Sequence, residues 1–171
     1  LKMDFLGLRT LSVIERCKAL VRDGLPTEEI WKSIHHGREL PDQRTREETD
    51  PLDLDRLNYD DQRVFDLFRR ADTTGVFQFE SGGMRRLLAE MKPDRLEDLI
   101  AANALFRPGP MDLIPDYNLR KHGEQPVPTV HEIVDRFTAE TYGVMVYQEQ
   151  VMQIVHELGG IPLRASYSLI K

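Results

Sequence analysis

The chain has 171 residues, of which 40% are hydrophobic and 30% charged, a balance that supports one ordinary core and excludes a disordered polar chain. No apolar run approaches the roughly 18 residues of a membrane span, and the first residues lack the basic, apolar and small-residue order of a signal peptide, so no membrane partner and a cytoplasmic location are expected. The net charge of -6 is local: Glu39 to Asp61 holds nine acids and three bases, leaving twenty of each elsewhere, so the composition still allows a basic face for nucleic acid.

Lys2-Met3-Asp4-Phe5-Leu6-Gly7-Leu8-Arg9-Thr10-Leu11 puts one carboxylate inside an apolar, strand-like segment that runs into a helix. Aspartate is depleted in strands and costs free energy there unless a donor, a cation or a metal compensates it. The stripe Leu11, Ile14, Cys17, Val21 predicts an amphipathic helix ending near Gly24-Leu25-Pro26, with Cys17 as a small core residue. As the only cysteine, it excludes an internal disulfide and a thiolate metal cage. Thr27 to Trp31 predicts a short second helix. From Gly37 to Pro51 the residues are polar and proline-punctuated, with Leu40 the one apolar side chain, and a mobile surface loop is expected.

Asp60-Asp61 is a good helix start, followed by Val64, Phe65, Leu67 and Phe68. Gly75 to Phe79 alternates like a short strand, and Ser81 can cap a helix that runs through Met91 to the break at Pro93. Asp94 with Glu97 resembles a capping box for the next helix, whose apolar face includes Leu96, Leu99 and Ile100. Arg107-Pro108-Gly109-Pro110 ends that helix. A helix from Met111 to His122 follows, with Pro115 in its first turn or marking a later start. After a loop over Gly123 to Pro128, the clearest stripe is Tyr147, Val151, Ile154, Val155, Leu158, stopped by Gly159-Gly160 and Pro162. Arg164 to Lys171 begins a further helix.

Five segments taken together resemble a known family. They are the run Lys2 to Leu11, Gly75 to Met84, Asp98-Leu99-Ile100-Ala101, Leu105 to Pro110, and Thr141-Tyr142-Gly143-Val144-Met145-Val146-Tyr147-Gln148-Glu149-Gln150. In this order they resemble the bacterial DNA polymerase III alpha subunits, the family-C DNA polymerases, over nearly the whole chain, most weakly from Asp23 to Leu57. The resemblance implies a mainly α fold: residues 1–8 as the end of a nucleotidyltransferase palm, contributed as a short strand, and 9–171 as part of helical fingers, with the loop at 37–51. It implies DNA-directed DNA synthesis by two-metal nucleotidyl transfer. Asp4 matches the third catalytic carboxylate and a magnesium ligand, with the other two carboxylates on a preceding strand outside this sequence, so the chain alone is expected to be inactive. Without the resemblance, Asp4 reads more often as a helix-capping or strand-edge acid.

Lys2 shares the Asp4 face of a strand and matches a family position near the incoming triphosphate. Ser81-Gly82-Gly83-Met84-Arg85-Arg86 puts glycines and two arginines at a helix start, suited to phosphate or simply to a tight turn. Arg107 stands at a rigid proline turn, as a phosphate contact or a structural ion pair. Arg120-Lys121-His122 reads as a solvated helix end. Where many family members have paired arginines before a glycine-lysine-lysine stretch, this chain has Ser168-Leu169-Ile170-Lys171, so only Lys171 matches a basic position. His131-Glu132 and His156-Glu157 lack the second histidine of a zinc motif, and no P-loop or dinucleotide fingerprint occurs. The implied partners are primer-template DNA and deoxynucleoside triphosphates, with a sliding clamp and other replisome subunits bound through regions outside this chain. The competing reading is a non-catalytic helical module that binds nucleic acid or protein.

Overall fold

The structure is a computed structural model that describes residues 9–35, 37–40 and 50–170. The chain divides into two compact units, one ending at Asn58 and one starting at Tyr59. Among the described residues there are nine α-helices and no strand, so the mainly α expectation holds. The initial strand, with Lys2 and Asp4, lies outside the described residues.

In the first unit, α1 (Arg9–Gly24) ends where expected, and Pro26, extended at φ -61 and ψ 149, leads into α2 (Thr27–Ile34). The Pro26 carbonyl accepts from the Glu29 and Ile30 amides at 3.0 and 3.1 Å, and Glu28 and Glu29 lie at the positive end of the helix dipole. The stripe on α1 is not a core face. No residue of α1 is buried: Leu11 is 58% exposed, Cys17 is exposed and Ile14 is only half-buried. Burial pushes the Asp50 carboxyl up, but Arg22 at 2.5 Å, the Leu52 amide and Lys18 together hold it below its usual range. Of the loop expected at 37–51, residues 41–49 lie outside the described residues; 37–40 carry no helix or strand, and Pro51 is buried.

The second unit holds the main core. Asp61 caps α3 (Gln62–Arg69) through the Arg63 amide, and Ser81 caps α4 (Gly82–Met91) through the Met84 amide at 3.3 Å. Phe65 and Phe68 from α3 meet Met84, Leu87, Leu88 and Met91 from α4. The next helix, α5 (Leu96–Leu105), adds Leu99, Ala101, Ala102 and Leu105. Ala101 and Ala102 are fully buried and Leu99 is buried as expected, whereas Ile100, expected on the same face, is 49% exposed. Lys92, at φ 49, closes α4 in the left-handed region before Pro93.

Two local readings are corrected. Gly75 to Phe79 forms successive turns: the Val76 amide bonds the Thr73 carbonyl, the Phe79 amide bonds the Val76 carbonyl, and Gln78 sits at φ 67. The Thr73 hydroxyl donates to the Phe79 carbonyl at 2.6 Å, so the segment closes on itself and needs no partner strand. At the start of α5 the capping residue is Arg95, and the reach-back bond comes from Asp98, which accepts from the Asp94 amide at 3.1 Å.

Beyond α5 the prolines divide the expected helix. A 3-10 turn over Pro110–Leu113 precedes α6 (Ile114–Lys121), with Pro115 in its first turn, where a missing N–H costs nothing. A short helix not anticipated from the sequence, α7 (Glu132–Thr138), leads through a 3-10 turn to the loop before α8 (Gln148–Gly159). Gly160, at φ 66, turns the chain into α9 (Leu163–Ile170).

Candidate functional site

The helix start at Ser81 and the turn at Arg107 are brought together by one close approach. A Cβ built on Gly83 would lie 2.5 Å from Cζ of Phe106, so only glycine lets this ring rest on α4. Arg107 follows directly, at the exposed lip of a turn in which Gly109 holds φ 98 between two prolines. The Arg107 Nη2 donates to the Val146 carbonyl at 3.4 Å, which joins the turn to the loop ahead of α8.

That loop is held by a buried clasp. Gln150, the third residue of α8, accepts from the Val146 and Tyr147 amides at 2.8 and 2.9 Å through Oε1. Its Nε2 donates to the Phe137 carbonyl at 3.0 Å and to Thr141 Oγ1 at 2.8 Å. The Thr141 hydroxyl in turn donates to the Val144 carbonyl at 2.6 Å. From the other side, Arg95 donates to the Glu140 carbonyl and the Tyr142 hydroxyl, and Arg120 to the Tyr142 carbonyl.

Of the basic residues near 120, Arg120 and Lys121 turn their side chains inward, while His122 is exposed. Lys121 Nζ lies 3.1 Å from Asp98 Oδ2 and 3.1 Å from Asp94 Oδ1, with only 5% of its side chain exposed and none of Asp98. Lys121, expected in a solvated helix end, instead joins α6 to α5 through a buried pair with Asp98, with Asp94 at its exposed edge. Burial works against the Lys121 charge, but the two carboxylates outweigh it and raise the lysine above its ordinary range. His122 Nε2 is 3.1 Å from the Met91 carbonyl. Tyr117, packed edge to face on Tyr142 at 5.2 Å, has its hydroxyl pushed upward by burial and by Asp98. Tyr147 is pushed in the same direction by burial and Glu140.

The predicted phosphate ligands thus separate. Arg85 is half-buried and spends its Nε on the Ala71 carbonyl at 2.7 Å, bracing a residue at φ 53. Arg86 and Arg107 are exposed. Lys2, Asp4 and Lys171 lie outside the described residues. Among the described residues no group of three or more His, Cys, Asp or Glu could hold a metal ion. A groove of about 510 Å³ between α5, α7 and α8 carries Glu140, Glu149 and an Arg136 already paired with Glu157, so it offers no ready anion site.

Sequence reasoning missed Gln150, Arg95, Asp98 and Lys121 as structural centres. Their signals were present but local: Gln150 sits at the reach-back position after Tyr147, and Asp98 lies four residues after Asp94.

Comparison with known proteins matches residues 32–171 to the bacterial DNA polymerase III alpha subunit finger domain. The DNA polymerase III subunit alpha of Bacillus subtilis is 42% identical over 163 residues, covering 95% of this chain and 13% of that protein. The Thermus aquaticus protein of the same name is 42% identical over 168 residues, and that of Xylella fastidiosa strain 9a5c is 44% identical over 163, each covering 95% of this chain and 12% of the relative. The chain therefore spans about an eighth of the length of these relatives and belongs to the bacterial DNA polymerase III alpha subunit finger-domain family.

Proposed function

We propose that this chain works as part of a DNA-directed DNA polymerase of the replicative alpha-subunit type, with residues 1–8 ending the palm and 9–171 forming part of the fingers. The observation that carries the reading is the finger-domain match over 32–171, joined to identities above 40% across nearly the whole chain. The parent enzyme would add deoxynucleotides from their triphosphates to the primer 3' end on template DNA in the cytoplasm. A sliding clamp and other replisome subunits would bind elsewhere on that enzyme.

In this reading Asp4 is a magnesium ligand, completed by carboxylates outside the chain. Bound magnesium supplies Lewis acidity and charge neutralisation to nucleotidyl transfer. Lys2, two residues from Asp4 in sequence, compensates triphosphate charge, and Arg107, Arg86 and Lys171 add cations from the fingers side. Arg85 contributes mainly by bracing the turn before α4, since its Nε is already engaged.

The test is Asp4→Asn in a full-length alpha subunit carrying this sequence. The change is nearly isosteric but removes a charged ligand, so primer extension should fall by orders of magnitude while folding and primer-template binding persist. Near-normal extension would return Asp4 to a structural role and favour the non-catalytic module.

A further inference from the structure

We infer that Gln150 is a positioning residue for Arg107, acting through the Val146 peptide; the inference rests on the reading of Arg107 as a triphosphate contact.

The prolines fix only the backbone at Arg107. Its exposed side chain still has several rotatable bonds, and a guanidinium recognises phosphate well only when held in one orientation. The hydrogen bond it makes among the described residues goes to the Val146 carbonyl, at 3.4 Å. That carbonyl belongs to a loop with two successive positive-φ residues, Tyr142 at 54° and Gly143 at 76°, which has no regular hydrogen-bond ladder of its own.

Gln150 supplies the missing order. Its amide has two donor and two acceptor positions, and all four are used at 2.8 to 3.0 Å. Two of the bonds hold the N–H of Val146 and of the next residue, so the Val146 carbonyl is aimed from within α8. The other two tie the amide to Phe137 and Thr141, and Gln150 and Thr141 are only 7% and 1% exposed. A buried network satisfied to this degree specifies one arrangement. The line of contact runs from Gln150 to Val146 to Arg107, and nothing in it requires Gln150 to touch substrate.

The experiment uses the full-length polymerase with Gln150→Ala, Arg107→Ala, the double variant, and Thr141→Val as a milder lesion should Gln150→Ala fail to fold. Steady-state primer extension gives KM for the deoxynucleotide and kcat, and phenylglyoxal labelling followed by peptide mass spectrometry gives the modification rate of Arg107. Gln150→Ala, or Thr141→Val to a smaller degree, should raise KM by about three- to tenfold, a part of the roughly tenfold or greater loss expected from Arg107→Ala. It should add nothing further in the Arg107→Ala background, and Arg107 should be labelled faster. Effects that multiply in the double variant, or an unchanged labelling rate, would overturn the inference. If Arg107→Ala leaves KM unchanged, the triphosphate reading of Arg107 fails by itself, and the labelling rate alone then decides whether Gln150 holds Arg107.

Discussion

Replacing Lys121 with methionine should expose how much the buried ion cluster contributes to the helical core. The lysine stem is buried and methionine refills most of its volume, so the main loss is charge. Asp98, with no exposed side-chain surface, would lose a cation 3.1 Å away and keep the Asp94 amide at 3.1 Å and Arg95 Nε at 3.5 Å. Breaking a buried pair by removing one partner typically costs about 3 to 5 kcal/mol, and the surviving donors place this case near about 3. With a urea slope of about 2 kcal/mol/M, the unfolding midpoint followed by circular dichroism at pH 7 should fall by about 1.5 M. Adding Asp98→Asn removes the stranded charge and keeps an acceptor for the Asp94 amide. The double variant should therefore be more stable than the sum of the single losses predicts, by about 2 kcal/mol. A shift below about 0.5 M for Lys121→Met, or strict additivity in the double variant, would refute the account of Asp98 and Lys121 as a mutually dependent buried pair.

This cluster and the separate pair of Arg22 with Asp50 set a pH dependence. Lys121 is raised in the fold, so its contribution is complete below the ordinary lysine pKa of about 10.4 and is lost as pH climbs through the higher folded value. Asp94 and Asp50 are lowered, so their contributions are present above the ordinary aspartate range and disappear as pH falls through their folded values. Urea midpoints across pH should fall at both ends, and the alkaline fall should shrink in Lys121→Met. Gly83→Val should lower the thermal midpoint through an overpacking cost of about 1 to 3 kcal/mol, since its Cβ would meet the Phe106 ring. Gly82→Ala is the control: nothing lies within 4 Å of its Cβ, and its stability should hold or rise slightly. Lys2→Ala in the full-length polymerase should weaken deoxynucleotide use by about ten- to a hundredfold while primer-template affinity stays close to wild type, as read by KM and by equilibrium DNA binding.

Helices whose ends are marked by short-range chemistry were legible from the chain alone. Asp61 and Ser81 each satisfy an amide two or three residues on, and Pro93, Pro110 and Gly160 end or redirect elements through backbone restrictions that act within a residue or two. Family membership was equally legible, because ordered motifs such as Leu105 to Pro110 and Thr141 to Gln150 are carried by residue identity. What tertiary structure decided was which polar groups turn inward and which apolar ones do not. Periodicity shows that α1 has an apolar stripe but not whether it is buried, and no residue of α1 is. Alternation at Gly75 to Phe79 suits a strand only if a neighbour supplies the ladder; Thr73 closes the segment into turns instead. Lys121 and Gln150 look like surface residues in sequence because both are polar. Their side chains turn inward because partners wait there: Asp94 and Asp98 face the Lys121 ammonium, and Phe137 and Thr141 take the Gln150 amide donors while the Val146 and Tyr147 amides take its oxygen.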